Sequence, residues 1–250
     1  MNKNIAVIFA GGSGVRMGSG TPKQFLEVNG KPIIIHTLDI FEEHPLIDSI
    51  YISCKEDYIY KLKKYIDRFW IKKVRDIVPG GKTGLDSIFN GLKAAKKQND
   101  DDDIVLIHDG VRPCIDSSLI DLVIKNVKEK GSAITCTPFF ETPVVSKDGN
   151  IVDSVPDRNM LYTAQAPQCF FLGEIMKAHL LTRDKNPSYN GIIDSCTLMK
   201  SLGKEVSIVK GNRGNIKVTT PEDLYIFRAM LRYKETQEAL GLRQEEIPEK

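Results

Sequence analysis

The feature that most constrains this fold is an apolar run followed directly by a glycine-rich segment, between residues 5 and 23. Residues 5–9, Ile-Ala-Val-Ile-Phe, carry no charge, and a short β-branched run of this kind predicts a strand buried on both faces of a parallel sheet. Glycines follow at positions 11, 12, 14 and 18, with Arg16 among them and Lys23 just after them. Because glycines let the backbone bring its N–H groups close to a ligand, and two cations lie beside them, the segment predicts a phosphate-binding loop.

Two common nucleotide-binding motifs do not match this loop. The spacing is not G-x-G-x-x-G, because Gly12 and Gly14 are followed by Val-Arg-Met, and the Gly-Lys-Ser/Thr of a Walker A loop is missing. A dinucleotide turn places a pyrophosphate on a helix N-terminus, whereas this loop offers an Arg and a Lys, which suit a triphosphate. A dehydrogenase is therefore a remote alternative, and NAD binding would revive it.

Predicted strands and helices alternate along most of the chain, which indicates an α/β, Rossmann-like fold with a mostly parallel sheet and helices on both faces. No internal repeat or linker-like composition appears, so we expect a single domain over residues 1–250. The predicted strands are 5–9, 47–54, 74–78, 104–107, 133–138, 168–171, 205–210 and 215–218, and the predicted helices are 32–43, 57–69, 83–97, 118–130, 172–182, 192–202 and 220–240.

The alternation breaks at residues 139–158, where β-branched residues surround Lys-Asp-Gly-Asn at 147–150. Asp-Gly between apolar residues is a strong hairpin signal. A hairpin here does not fit a parallel sheet, so we expect a projecting β-hairpin arm whose edges a partner subunit covers. The sequence thus predicts a homodimer.

Composition excludes several other classes of protein. A formal net charge of +2 gives no electrostatic indication of a nucleic-acid partner. No apolar run approaches the roughly 20 residues of a membrane helix, and the N-terminus leads into the first strand without a signal peptide. Five scattered cysteines without a CxxC pair indicate neither a zinc site nor a disulfide framework. We therefore expect a cytoplasmic protein with no membrane or nucleic-acid partner.

The first loop, Ala-Gly-Gly-Ser-Gly-Val-Arg-Met-Gly followed by Pro-Lys-Gln-Phe at 22–25, resembles the signature of nucleotidyltransferases that activate a phosphorylated sugar or polyol. More narrowly, it is similar to the cytidylyltransferases acting on methylerythritol phosphate and on ribitol 5-phosphate. Later motifs follow in the same order: Gly-Gly at 80–81, His-Asp-Gly-Val-Arg-Pro at 108–113, Asp-Arg at 157–158 and Asn-Ile-Lys-Val-Thr at 215–219. The resemblance extends to about residue 230.

This resemblance implies roles for particular residues, with CTP and a polyol phosphate as substrates and a homodimer clasped by the arm. The implied catalytic cations are Arg16, Lys23, Lys217 and Arg158. The implied acceptor-binding residues are Arg112, Thr142, Asp157 and Arg158, and Asp109 is the candidate carboxylate for Mg²⁺. The implied nucleotide-binding residues, of which Gly80, Gly81 and Ser87 hold the cytosine, are Ala10, Gly11, Gly12, Ser13, Gly14, Gly80, Gly81, Ser87, Asp109 and Gly110.

The expected reaction is attack by an acceptor phosphate oxygen on the α-phosphorus of CTP, with pyrophosphate leaving. A phosphate monoester has a second pKa near ~6, so it is already a nucleophilic dianion at neutral pH and requires no general base. The remaining difficulty is to bring two anions together, which positioned cations achieve. We assign Arg16 and Lys23 to the triphosphate, Lys217 to the α-phosphate and Arg158 to the acceptor, with magnesium bridging the triphosphate oxygens.

Each assignment has a structural alternative. Arg16 would then cap a loop carbonyl, Arg112 would pair with an acid at the strand end, Asp109 would be a turn residue, and His108 would be a packed strand-end histidine. Cys196 beside Asp194 has no evident partner base, so a nucleophilic role is disfavoured.

The choice of acceptor depends on small differences between motifs. Phe-Ala-Gly-Gly at 9–12 and His-Asp-Gly-Val-Arg-Pro at 108–113 resemble the ribitol phosphate branch more than the methylerythritol phosphate branch. Three departures from the family pattern bear on the acceptor or on a nucleotide cation: Gly84 replaces a frequent Arg, Ala166 a Thr, and Ile193 a Thr. We predict a ribitol 5-phosphate cytidylyltransferase that serves a cell-surface polymer. The alternatives are the methylerythritol phosphate enzyme of isoprenoid synthesis and a non-catalytic nucleotide-binding protein.

Overall fold

A computed structural model of the chain describes residues 2–12 and 20–240. Its central element is a seven-stranded sheet that contains strands β1 (Asn4–Ala10), β4 (Ser49–Cys54), β5 (Val74–Pro79), β6 (Ile104–Asp109), β7 (Ser132–Pro138), β8 (Tyr162–Phe171) and β9 (Ile208–Lys210). A separate two-stranded ladder joins β2 (Glu27–Val28) to β3 (Lys31–Pro32). The helices are α1 (Ile33–Glu43), α2 (Ile59–Arg68), α3 (Gly84–Lys96), α4 (Ser117–Lys130), α5 (Leu172–Lys185), α6 (Ser195–Ser201) and α7 (Pro221–Ala239).

The strand order is β5-β4-β1-β6-β8-β7-β9, and all neighbours are parallel except β8, which runs antiparallel to β6 and β7. The predicted α/β fold with a mostly parallel sheet is confirmed. The chain passes from β1 to β4 and β5 on one side of β1 and then returns to β6 on the other side. The carboxyl end of β1 is therefore a topological switch point, where open α/β sheets bind ligands.

Two hydrophobic clusters cover the two faces of the sheet, and the alternation of side chains along β1 explains why. Ala6, Ile8 and Ala10 pack on the face that carries α1, α2 and α4, whereas Ile5 and Val7 pack on the face that carries α3, α5 and α6. Every residue of β1 except Phe9 is buried, as expected for a central strand between two helix layers.

Two predictions about strands were wrong. Residues 215–218 were expected to form a strand but lie in a loop, since Val218 N donates to Val111 O at 2.9 Å and no ladder forms. The strand expected over 168–171 begins six residues earlier, at Tyr162, because residues 162–164 pair with the end of β7.

The segment between β7 and β8, for which an arm was predicted, is less regular than the predicted hairpin. The only bridge within it among the described residues joins Val145 to Ser154. The predicted turn is present at Asp148, whose Oδ1 accepts from Asn150 N at 2.8 Å and Ile151 N at 3.0 Å. Gly149 adopts φ +77°, a conformation that favours glycine.

Candidate active site

The predicted nucleotide-binding residues that the structure describes meet at the carboxyl edge of the sheet. Ala10 ends β1 and residues 11–12 follow it, residues 80–81 follow β5, and Asp109 ends β6 just before Gly110. Gly110 N donates to Phe9 O at 3.0 Å, which joins the ends of β6 and β1. The predicted residues Ser13, Gly14 and Arg16 lie outside the described residues.

Gln24 fixes the start of the first loop, although the sequence analysis noted it only as part of a motif. Its Nε2 donates to Ala10 O at 2.7 Å and to Gly12 O at 3.2 Å, and the side chain is 2% exposed. Lys23 precedes it in a short 3₁₀ turn. A buried amide that satisfies two loop carbonyls holds the backbone in place for a ligand.

The first loop and the Gly80–Gly81 turn approach each other around Ser87, on the first turns of α3. A Cβ added at Gly11 would lie 2.5 Å from Ser87 Oγ, and one at Gly80 would lie 3.2 Å from Gly11 Cα. Gly81 N donates to Ser87 Oγ at 3.0 Å, and that hydroxyl donates to Thr83 O at 3.0 Å. A side chain at Gly11 would therefore displace the Ser87 hydroxyl that bonds to the Gly80–Gly81 turn.

A buried carboxylate with two cations lies at the end of β6. Asp109 Oδ2 is 2.9 Å from Arg112 Nε, and Oδ1 is 2.5 Å from Lys217 Nζ. The side chains of Asp109 and Arg112 are 7% and 12% exposed, whereas that of Lys217 is 42% exposed. Burial alone would raise the pKa of Asp109, but the charges of Lys217 and Arg112 outweigh it and lower the pKa, so this carboxylate is ionised at neutral pH.

The loop that carries Lys217 is held by Arg112 and by β8. Arg112 Nη1 donates to Asn215 O at 2.7 Å, and Asn215 Nδ2 donates to Ala166 O at 2.6 Å. Asn215 is fully buried, and it joins the loop to β8. Its anchoring role was missed, because an asparagine that bonds to a backbone 49 residues away has no local sequence signal.

His108 is a packing residue, as its structural alternative stated. It is fully buried against Phe41, and its Nε2 donates to Arg112 O at 3.1 Å. Burial lowers the pKa of His108 to about 4, so the imidazole is neutral at physiological pH. Burial likewise raises the pKa of the Cys196 thiol, consistent with a structural rather than a nucleophilic cysteine.

The predicted arm residues lie apart from this cluster within their own chain. Arg158 Nη1 donates to Phe140 O at 3.2 Å, and Asp157 accepts from Asn159 N at 2.9 Å. Thr142 is exposed. Among the described residues, no hydrogen bond or ion pair joins these three side chains to Asp109 or Lys217.

Glycine turns and fixed cations at the switch point of a parallel sheet define a nucleotide-binding α/β protein. A family model described as IspD, 2-C-methyl-D-erythritol 4-phosphate cytidylyltransferase, matches residues 4–233. The chain belongs to this family of cytidylyltransferases, and the prediction of a nucleotidyltransferase enzyme is confirmed.

Curated relatives at full length carry two different names. The chain is 45% identical over 241 residues to a ribitol-5-phosphate cytidylyltransferase of Streptococcus agalactiae, covering 96% of this chain and 100% of that one. It is 46% identical over 239 residues to the protein of that name from Vibrio parahaemolyticus, covering 95% and 100%. A 2-C-methyl-D-erythritol 4-phosphate cytidylyltransferase of Clostridium botulinum is 38% identical over 231 residues, covering 92% and 98%.

Solved structures agree with the fold. A 4-diphosphocytidyl-2C-methyl-D-erythritol synthase from Anaerococcus prevotii superimposes with a TM-score of 0.79 at 30% identity, covering 92% of this chain and 96% of that one. None of the described helices combines the length and apolar content that crossing a bilayer requires.

Proposed function

We propose that this enzyme transfers CMP from CTP to ribitol 5-phosphate and so produces CDP-ribitol and pyrophosphate. The observation that carries the proposal is the cluster of Lys217 and Arg112 around Asp109, at the sheet edge where the glycine turns meet. The choice of ribitol 5-phosphate is supported by relatives of that name at 45–46% identity, against 38% for the Clostridium botulinum relative named for methylerythritol phosphate. The latter acceptor is the second candidate.

The chemistry requires positioned positive charge rather than a base. The acceptor phosphate is already a dianion, so the enzyme must hold it in line with the α-phosphorus and stabilise charge on the phosphoryl oxygens. Lys217 is suited to the α-phosphate, because its half-exposed ammonium group is held at the sheet edge by Asp109. Arg16 and Lys23 are proposed to hold the β- and γ-phosphates, and Arg112 contributes to the acceptor side.

Magnesium is proposed as the metal of the triphosphate. Among residues 2–12 and 20–240, no group of three or more potential metal ligands occurs. Mg²⁺ in phosphate sites is held by one or two carboxylates together with phosphate oxygens. Asp109 is the candidate carboxylate, and its Oδ1 would be open to an ion that arrives with CTP once the Lys217 ammonium group moves onto the α-phosphate. Bound there, the ion would neutralise charge on the leaving pyrophosphate.

The arm is proposed to form a homodimer. Nine large apolar side chains between residues 139 and 162 are exposed, among them Ile151 at 69% and Met160 at 78%. A concentration of apolar surface on one projecting segment indicates an interface. Because Arg158 and Thr142 have no contact with Asp109 of their own chain, we propose that they complete the acceptor site of the partner.

The test of the reaction is a substrate panel. Purified enzyme with Mg²⁺ is given CTP, UTP, ATP or GTP together with ribitol 5-phosphate, methylerythritol phosphate or other polyol phosphates. Pyrophosphate release is measured, and mass spectrometry identifies the product. CDP-ribitol is the expected product, and turnover of methylerythritol phosphate alone would overturn the acceptor assignment. Pyrophosphate release with no acceptor selectivity would contradict both candidates.

The test of the dimer is complementation between two inactive variants. Lys217→Ala and Arg158→Ala are each expected to be inactive. In a 1:1 mixture that exchanges subunits, half of the dimers are mixed and each mixed dimer has one intact site, so about a quarter of wild-type activity should return. No recovery, with sedimentation showing mixed dimers, would refute a shared site. Ile151→Asp should shift the mass toward the monomer, whereas Leu122→Asp on α4, which is 51% exposed, should not.

A further inference from the structure

An ion pair between two helices lies behind the Gly80–Gly81 turn. Arg183, on α5, donates through Nη1 to Asp86 Oδ1 at 2.7 Å, although the two residues are 97 positions apart. Asp86 lies in the first turn of α3, one residue before Ser87. The side chains are 33% and 20% exposed, so the contact is only partly screened by water.

A series of hydrogen bonds connects Asp86 to the Gly80–Gly81 turn. Its Oδ2 accepts from Thr83 N at 3.1 Å and from Thr83 Oγ1 at 2.9 Å, while Asp86 N donates to Thr83 Oγ1 at 3.1 Å. This reciprocal arrangement is a capping box, which fixes the start of α3. The carbonyl of Thr83 accepts from Ser87 Oγ, which in turn accepts from Gly81 N.

The backbone of the turn lies in close contact with Asp86. A Cβ at Gly81 would lie 2.1 Å from the Cβ of Asp86, so the backbone of the turn packs directly on that residue. Gly84, in the same segment, has open space within 4 Å of where its Cβ would be. Displacement of the Asp86 side chain would therefore shift Gly81 and Ser87, while the rest of the segment could adjust.

Arg183 is itself held in place. Its guanidinium lies 4.8 Å from the Phe89 ring centre and 5.4 Å from that of Tyr189, and Tyr189 is 3% exposed. The Tyr189 hydroxyl contacts His179 Nδ1 at 2.6 Å. Stacking between two aromatic rings leaves an arginine few rotamers, so Asp86 has a preorganised partner.

We infer that Arg183 is a positioning residue for the nucleotide: by fixing Asp86 it sets the Gly80–Gly81 turn and Ser87 for the cytosine end of CTP. Among the described residues, no hydrogen bond or ion pair joins Arg183 to Lys217 or Arg112. Its loss should thus weaken recognition of the base and leave the grip on the triphosphate in place. This inference depends on the proposed function, since it takes CTP as the ligand.

The test compares binding of CTP with binding of inorganic tripolyphosphate, both with Mg²⁺, by isothermal titration calorimetry. Arg183→Ala should weaken CTP about tenfold, and tripolyphosphate less than about twofold. Arg183→Lys should recover CTP affinity to within about threefold of wild type, because one charged hydrogen bond to Asp86 is retained. Lys177→Ala, an exposed lysine on the same helix, is the matched control and should change neither affinity.

A double-mutant comparison isolates the route through Asp86. Arg183→Ala combined with Asp86→Asn should bind CTP no more weakly than Asp86→Asn alone, because residues that act as one unit are not additive. In steady state, Arg183→Ala should raise the KM for CTP about tenfold while the KM for the acceptor changes less than about twofold. Thermal unfolding above the assay temperature verifies that each variant is folded.

Equal loss of CTP and tripolyphosphate affinity, full additivity with Asp86→Asn, or unchanged CTP affinity would each overturn the inference. A wild-type enzyme that binds CTP but makes no CDP-polyol would overturn the proposed reaction and leave the affinity comparison valid. A wild-type enzyme that binds no CTP would overturn both.

Discussion

Replacing Asp109 by Asn tests the charge cluster at the end of β6. The substitution keeps the shape of the side chain and removes its charge. Arg112 then loses its partner at 2.9 Å and Lys217 its partner at 2.5 Å. In the wild type, the two cations compensate for the burial of the ionised Asp109. In the variant, the two cations lie near each other with no negative charge between them.

The expected loss of stability depends on how well water can hydrate each cation once Asp109 is neutral. Breaking a fully buried pair costs about 3–5 kcal/mol. Lys217 is 42% exposed and can rehydrate, and Arg112 keeps its hydrogen bond to Asn215 O, so we expect about 2 kcal/mol at pH 7. For a protein of this size that corresponds to a Tm lower by about 4–8 °C.

The lowered pKa of Asp109 determines how the stability difference between wild type and Asp109→Asn changes with pH. Because the folded pKa of Asp109 is lowered, its ionised form contributes stability that is complete above the unfolded pKa, near ~4, and is lost as pH falls through the folded pKa. Asn does not titrate. The stability gap between wild type and Asp109→Asn should therefore be constant from pH 7 to about 5 and narrow below about 4.

The assay is urea unfolding of both proteins at pH 7, 6, 5, 4 and 3.5, followed by circular dichroism. Taking the difference cancels the titration of groups that the two proteins share. A gap below about 0.5 kcal/mol at pH 7, or one that widens below pH 4, would refute the assignment of Asp109 as a cation-stabilised carboxylate.

Three further predictions follow from the same geometry. Lys217→Ala should lower turnover of CTP about 100- to 1000-fold, measured by pyrophosphate release, and should also lower the Tm by a few degrees in calorimetry, because the buried Asp109 loses one of its two cations; activity within about threefold of wild type would contradict its role. Gly81→Ala should cost about 1–3 kcal/mol in urea unfolding and weaken CTP, because its Cβ would overlap Asp86, whereas Gly84→Ala in open space should be neutral or stabilising; equal effects would exclude the steric argument. Burial lowers the pKa of His179 to about 3, so the free energy of unfolding of the wild type should fall as pH drops from about 6.5 toward 3. In urea unfolding, His179→Phe should reduce the slope of that free energy against pH by up to about 1.4 kcal/mol per pH unit. An unchanged slope would mean that His179 is charged in the folded protein.

The parts of the fold that the sequence predicted are those with a local physical cause. Uncharged β-branched runs gave the central strands, and Thr220 with Pro221 marked the start of α7. The first part of β8 was missed because Thr-Ala-Gln-Ala-Pro has weak strand propensity, and pairing with β7 overrides it. The loop at 215–218 has an apolar, strand-like composition, but its backbone bonds to Val111 and Arg112 instead of a neighbouring strand.

At the site, motif residues were predictable and their supports were not. Glycines and cations stand out in a sequence because each has a distinctive chemical use. Gln24 and Asn215 lie within quoted motifs and Arg183 does not, but the contacts of all three reach residues distant in the chain. No spacing or composition predicts such contacts. Only the assembled sheet shows which side chains hold the functional ones.

The late position of Lys217 in the chain bears on how the protein is made. During translation the residues of β1, β5 and β6 all leave the ribosome at least about 100 residues before this lysine does, and chains begin to fold as they emerge. A nascent sheet edge can therefore hold Asp109 paired with Arg112 before the second ammonium partner exists. Under the proposed mechanism, products of premature termination would lack the charge that the α-phosphate requires, so aborted chains would leave the cellular CTP supply intact.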